Sequence, residues 1–296
     1  MKEAADVVRR ATRLDAQTRV RETVGFFDGD DGLLYGCTYL PADDSYCAVV
    51  VCSPLLAELQ TSYRREVLLS RSLAAAGAAV QRFHYRGAGN SDGSPEQQTL
   101  DRLRDDALAA ATHVRKAAGD VPLAFVGTRL GGHVAVAAAA AVSRTSPVAI
   151  MSPVIDMRAY FRSVLRGYLF GLVKEGQGTA RTVQDVLDDL KHHGIVDVLG
   201  YPLSSQLYDS FIERSLEDEL QRLDGRVLLL SVGDSEASMR RSGTMNGRLE
   251  IRSVAGEEVW WFGGGATLRQ GEATTTEAIV SSLGTWIHER FERDMA

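Results

Sequence analysis

The chain is short of several things, and each shortage excludes a class of protein. Its 296 residues include three cysteines, Cys37, Cys47 and Cys52. They form no CxxC and no pairable framework, which excludes a disulfide scaffold. A reducing compartment is expected, with the thiols serving as small core residues. A basic excess is also missing, since 33 Lys and Arg face 39 Asp and Glu for a net charge of −6. Nucleic acid and an anionic membrane surface are therefore not expected partners. The longest apolar run, around HVAVAAAAAV, is too short and too alanine-rich to span a bilayer. The opening stretch MKEAADVVRRATRLDAQTRVRE lacks an apolar h-region and so is not a signal peptide. Its apolar spacing fits a short amphipathic helix, or else a disordered lead-in. Cytoplasm is the expected location. Internal repeats and low-complexity segments are absent too.

What is there is a core-forming chain, 45% hydrophobic, in which strand-like and helix-like stretches alternate from about residue 22. TVGFFDGDDGLLYGCTYL reads as a hairpin around Gly29-Asp30-Asp31-Gly32. AVVVCS, AVQRFHY, PLAFVG and PVAIMSP follow as further strands, and the continuous apolar runs mark buried parallel ones. Between them, TSYRREVLLSRSLAAAG reads as a helix with Thr61 or Ser62 as N-cap and Gly77 as its stop. TLDRLRDDALAAATHVRKAAG reads as a long helix closed by Gly119, and HVAVAAAAAVS as a third. The alternation breaks over residues 155–224, where three helices are expected with no strand between them. It resumes with RVLLLSVG, RLEIRSVAG and a final helix, TTTEAIVSSLGTWIHERFER.

This order predicts an α/β protein with a mostly parallel eight-stranded sheet flanked by helices, because parallel strands need crossovers. The expected organisation is an N-terminal extension (1–21), a core (22–154 and 225–296) and an inserted helical cap (155–224). The cap would sit above the carboxyl ends of the strands, where open α/β sheets bind ligands.

Gly127-Thr128-Arg129-Leu130-Gly131-Gly132 lies between a buried strand and an alanine-rich helix. A nucleophile elbow, G-x-S-x-G, occupies that context, and here its centre is arginine. The chain resembles the serine-aminopeptidase-like branch of the α/β-hydrolase superfamily. Within it, the chain is most similar to the exosortase-system-associated hydrolases of the second type. The matching stretches are Ser53-Pro-Leu-Leu-Ala-Glu58 with the following Thr-Ser-Tyr-Arg-Arg, Tyr85-Arg-Gly-Ala-Gly-Asn-Ser91, Gly127-Thr-Arg-Leu-Gly131, Ser152-Pro-Val and Gly200-Tyr-Pro-Leu-Ser204. The resemblance implies the α/β-hydrolase fold, with an arginine where the catalytic serine stands. It further implies an oxyanion-hole amide in the segment after the third strand, and ester, thioester or amide substrates.

The rest of a Ser-Asp-His set should follow in that order. Asp234 and Glu236 can fill the acid position. At the histidine position the chain carries Glu257 and Glu258 and no histidine, and the only later one, His288, falls in the final helix, expected at its surface. Acyl transfer by this route needs an oxygen nucleophile and a base, and an arginine is neither. Two roles stay open for Arg129. It can close a salt bridge with Glu257, Glu258, Asp234 or Glu236, or it can hold a ligand carboxylate or phosphate beside a helix N-terminus. Ser53, Leu55, Arg129, Leu130 and Trp260 are the expected ligand-binding residues.

Catalytic candidates are Glu58, Cys52, Asp234, Glu236 and Glu258. Glu58 either acts as a general acid or base or supports the start of a helix. Cys52 is either a relocated nucleophile, with His84 or His133 as its base, or a core thiol. Tyr85-Arg86-Gly87-x-Gly89-x-Ser91 lacks G-x-G-x-x-G spacing, so no nucleotide cofactor is expected. His192 and His193 near Asp188 and Asp189 read as a solvated helix end and not a metal site. The expected function is that of a hydrolase-like accessory protein or pseudoenzyme of a biosynthetic pathway, binding a small or acylated ligand, an anion included, under the cap. The alternative is an enzyme acting on an ester, thioester, amide or cyclising substrate through carboxylates or Cys52. The expected partners are that ligand and a protein, either another chain or a second copy.

Overall fold

The computed structural model describes residues 11–174, 181–233, 247–256 and 270–292. β2 (Arg21–Gly29) and β3 (Gly32–Leu40) form the expected hairpin. The central strands are β4 (Cys47–Cys52), β5 (Ala78–Phe83), β6 (Leu123–Thr128) and β7 (Val148–Met151), and every residue of the four is buried. β10 (Val227–Val232) and β11 (Leu249–Val254) complete the far edge. Among the described residues the sheet has nine strands, with β1 (Ala11–Leu14) at one edge, in the order β1-β2-β3-β5-β4-β6-β7-β10-β11. Five of its eight pairings, from β5 to β11, are parallel.

The ninth strand corrects the reading of the N-terminal extension. Over Ala11–Leu14 the chain forms β1, antiparallel to β2, in place of the expected helix or disordered lead-in, while residues 1–10 of that stretch lie outside the described residues. Its four residues are all exposed. Edge pairing, which leaves no apolar signature, holds it.

Helix α1 (Glu58–Ala75) joins β4 to β5, α2 (Leu100–Ala118) joins β5 to β6, and α3 (Gly131–Val142) joins β6 to β7. Thr99 caps α2 by accepting from the Arg102 N–H, and Gly119 ends it at φ +89°. Helix α1 begins three residues before the expected cap. Ala57 precedes it without a side-chain cap, and the Thr61 hydroxyl donates to the Glu58 carbonyl. The final helix α8 (Gln270–Glu292) lies with α1 on one face of the sheet, over a core containing Val49, Val51, Leu73 and Trp286. The other face is covered by α2, α3 and the inserted segment, over Val50, Phe83, Phe125 and Leu207.

The inserted segment holds α4 (Met157–Lys174), α5 (Val183–His193), α6 (Ser205–Ile212) and α7 (Leu216–Leu220). Its expected all-helical character needs correction. A small hairpin, β8 (Ile195–Val198) with β9 (Tyr201–Ser204), stands between α5 and α6. Only four residues form each arm, too few for an alternation pattern to show. Among the described residues no helix is long and apolar enough to cross a membrane.

Candidate functional site

The connections part at β4. The chain leaves β4 for β5 on one side and reaches β6 on the other. Such a reversal opens a crevice beyond the carboxyl ends of the two central strands. The loop after β4 and the turn after β6 face each other across it.

The turn after β6 is tight because its flanks are glycine. A methyl on Gly127 would lie 2.4 Å from the Gly131 carbonyl oxygen, and one on Gly131 would lie 2.2 Å from that of Cys52. Arg129 at the tip has φ +55°. Its N–H donates to the Met151 carbonyl (3.0 Å), and its own carbonyl accepts from the Gly132 N–H (3.0 Å). Two more non-glycine residues near the crevice are left-handed, Leu56 after β4 at φ +56° and Ser152 after β7 at φ +44°. Each costs on the order of 1–3 kcal/mol, and strain of this kind gathers at functional sites.

The side chains of three elements meet there. Arg129 Nε donates to Glu58 Oε1 (3.2 Å), and Nη1 donates to the Ser152 carbonyl (3.3 Å). From the inserted segment, the Tyr160 hydroxyl donates to Glu58 Oε2 (3.1 Å). The Tyr160 ring lies 5.2 Å from the guanidinium carbon. The side chains of Arg129 and Glu58 are only 13% and 10% exposed. Burial pushes the Glu58 carboxyl above its ordinary value, while the Arg129 charge and the hydrogen bonds from Arg129 and Tyr160 pull it back. Burial pushes the Tyr160 hydroxyl up as well, reinforced by the Glu58 charge. Chemically this is a guanidinium already holding one carboxylate.

The other expected site residues fare differently. Asp234, Glu236, Glu257, Glu258 and Trp260 lie outside the described residues, and so do the four carboxylate partners expected for Arg129. The described partner is Glu58, expected only as an acid–base group or helix support. Ser53 faces α1. It is buried, and its hydroxyl donates to Glu66 Oε2 at 2.7 Å. Cys52 is fully buried, and burial pushes its thiol up, away from the thiolate form that a nucleophile needs. Leu55 and Leu130 are also buried, Leu130 completely.

The two histidines expected as bases hold other partners. His84 is pushed down to about 4, by burial and then by Arg82, and its Nδ1 accepts from the Asn90 N–H (3.3 Å). His133 is buried between Glu219 Oε2 (2.7 Å from Nδ1) and the Val154 carbonyl (3.0 Å from Nε2), tying α3 to α7. His288 is half-buried against the Tyr46 ring, 5.5 Å between centroids, and not at the surface. In the cap, Asp188 accepts from Gln184 and Asp189 pairs with Arg181, while His192 and His193 close the last turn of α5. Arg86 and Ser91 tie down the loop after β5. Arg86 Nε donates to buried Asp106 at 2.8 Å, and Ser91 Oγ donates to the His84 carbonyl at 2.7 Å.

Sequence reasoning missed Tyr160, Ser152 as a backbone acceptor, and Glu66. Tyr160 follows no motif, and only the fold brings residue 160 to residue 58. Glu66 carried a usable signal, being an acidic residue on the buried face of α1, four residues after Ser62.

Residues 45–174 match the family model described as serine aminopeptidase, S33. No curated protein matches the chain in sequence. Among solved structures, the chain is similar to Est1E from Butyrivibrio proteoclasticus with ferulic acid bound. That match has a TM-score of 0.66 and 16% identity, over 90% of this chain and 98% of that one. The proline iminopeptidase of Mycobacterium smegmatis matches with a TM-score of 0.60 and 13% identity, over 92% and 99% of the two chains. A thermostable carboxyl esterase from Bacillus coagulans, in complex with glycerol, gives 0.62 and 11%, over 91% and 99%. The chain has the α/β-hydrolase fold.

Proposed function

We propose that this protein is a hydrolase-like accessory protein or pseudoenzyme that binds a small or acylated ligand, anions included, beneath the inserted segment. The observation that carries this is Arg129. It occupies the tip of the elbow, where hydrolases of this fold place their nucleophile, and it is closed onto Glu58 at 3.2 Å. A guanidinium is always protonated, so it neither attacks a carbonyl nor accepts a proton. The resemblance to exosortase-associated hydrolases supports a place in a biosynthetic pathway.

The test is a fluorophosphonate probe together with ester substrates of several chain lengths. The expected outcome is neither labelling nor turnover. Labelling of any serine, with turnover, would refute it. A second reading is favoured by the buried Glu58 carboxyl and its Tyr160 neighbour. A carboxyl raised by burial and held beside a hydroxyl suits acid–base work on an ester, thioester, amide or cyclising substrate. Turnover without labelling, lost in Glu58→Gln, would establish it.

A further inference from the structure

We propose that the outer face of α4, together with the tip of the β8–β9 hairpin, docks on an anionic lipid surface. The inference is independent of the elbow and holds whether or not that site takes a ligand.

The face is written in the sequence of α4. Arg158, Arg162, Arg166 and Phe170 recur every fourth residue, with Val173 three residues further on, so all five share one side of the helix. All five are exposed. The opposite side carries Met157, Tyr160, Phe161 and Leu165 into the core. Arg158 pairs with Glu213, whereas Arg162 and Arg166 close no ion pair among the described residues.

Two elements build the apolar end of this face. Phe170 is 71% exposed and Val173 55%. Leu199, 46% exposed, reaches the same place from the hairpin, since a methyl on Gly171 would lie 3.1 Å from Leu199 Cδ2. Leu199 and Gly200 form the turn between β8 and β9, at φ +57° and φ +80°. A two-residue turn with both residues left-handed calls for asparagine or glycine at its first position. Leucine there carries backbone strain while nearly half of it meets water. Folding gains little from that choice, and a contact outside the chain accounts for it. Asp197, at the base of the turn, is folded back onto the Gly200 N–H at 2.9 Å.

The shape and charge of the face select lipid. Side chains that project this far need a fitted pocket in a folded partner, whereas the acyl boundary of a bilayer yields to any projection. With the face lying flat, Phe170, Val173 and Leu199 enter that boundary, as the apolar residues of an interfacial helix do. Arg166 and Arg162 follow about 6 Å and about 12 Å behind Phe170 along the axis, and their long stems let the guanidinium groups reach headgroup phosphates. Each such arginine is worth about fivefold in partitioning to an anionic surface, or about 1 kcal/mol at 1.4 kcal/mol per tenfold. The net charge of −6 argues against an anionic membrane for the chain as a whole. It does not describe this face, because the fields of remote carboxylates fade over a Debye length of about 8 Å.

Vesicle flotation of the full chain tests the proposal, with vesicles of equal parts phosphatidylglycerol and phosphatidylcholine and with vesicles of phosphatidylcholine alone. Wild type is expected on the anionic vesicles and about 25-fold more weakly on the neutral ones, from two arginines at fivefold each. Arg162→Gln and Arg166→Gln should each cost about fivefold on anionic vesicles and nothing on neutral ones. Phe170→Ser should cost about tenfold on both. Leu199→Asn should weaken binding to both while its melting temperature stays level or rises, because asparagine suits the turn. Circular dichroism checks that every variant is folded. Absence of wild type from the anionic vesicles, or equal flotation of wild type and all four variants, would overturn the proposal. A lower melting temperature for Leu199→Asn would show that the leucine serves the fold and would overturn the argument from strain. A dimer in light scattering that Phe170→Ser dissolves, with no flotation, would overturn lipid docking and assign the face to a second copy.

Discussion

Removing the partners of the Arg129–Glu58 pair one at a time should have unequal consequences. At 3.2 Å and an effective dielectric of about 20, two unit charges attract by about 5 kcal/mol. Desolvation of both groups offsets much of that. With side-chain exposures of 13% and 10%, a coupling energy of about 2 kcal/mol is expected. Glu58→Gln leaves a guanidinium that cannot shed its charge, at a cost of about 3 kcal/mol. Arg129→Met leaves a carboxyl that can neutralise itself. Burial already raises Glu58, and losing the cation raises it further. A group raised in the folded state stabilises fully below its unfolded value, and that stability is lost as pH rises through the folded value. The Arg129→Met penalty is therefore small at pH 5 and larger at pH 8. At pH 5 the double variant, with two neutral side chains, should lie within about 1 kcal/mol of wild type. Urea unfolding of all four proteins at both pH values, with unchanged m-values, measures the cycle. Single costs that add to within about 0.5 kcal/mol would refute the coupling.

Three other outcomes follow from the same neighbourhood. Burial pushes Glu66 up to about 7, opposed by the Arg82 charge and the Ser53 hydroxyl. Its share of stability, about 3 kcal/mol, is then full below its ordinary value of 4.5 and is lost as pH rises through 7. Glu66→Gln should flatten the stability profile over that window, and an unchanged slope would show that Glu66 is not its source. Gly131→Ala should prevent folding or cost more than about 3 kcal/mol, since its methyl would lie 2.2 Å and 2.4 Å from two backbone oxygens. Gly119→Ala, with nothing within 4 Å but φ +89° and ψ −179°, pays backbone strain alone, about 1–3 kcal/mol, and a lower melting temperature for it than for Gly131→Ala would contradict the close-approach argument. Iodoacetamide should label Cys52 only after unfolding, as read by mass spectrometry, and rapid native labelling would reopen its role as a nucleophile.

The parallel core was legible because its strands are buried on both faces and announce themselves as apolar runs. AVVVCS and PLAFVG became β4 and β6, with all six residues of each strand buried. The elbow was legible because Gly127 and Gly131 answer a steric demand that local sequence can show. The β8–β9 hairpin and β1 were not legible, the first because its arms are four residues long and the second because its partner alone defines it. At the site, the arginine was read and its need for a carboxylate was read, but not the identity of that carboxylate. The residues expected to meet it, Asp234, Glu236, Glu257 and Glu258, follow Arg129 in the chain and lie outside the described residues. Glu58 precedes it by 71 positions, a distance closed only by the adjacency of β4 and β6.

Stability by itself does not account for this arrangement. A largely buried ion pair is commonly no better than well-packed apolar side chains of the same volume. Glycine at 129 would adopt φ +55° without strain, and glycine at 56 and 152 would relieve the other two positions. The chain instead carries strain at the ends of three neighbouring strands and spends its elbow on a charge that needs a partner from each side. Both features become intelligible if the guanidinium must be fixed in place to meet a ligand. The strained turn fixes the position of Arg129, and Glu58, which Tyr160 holds by its other oxygen, supplies a carboxylate for its charge.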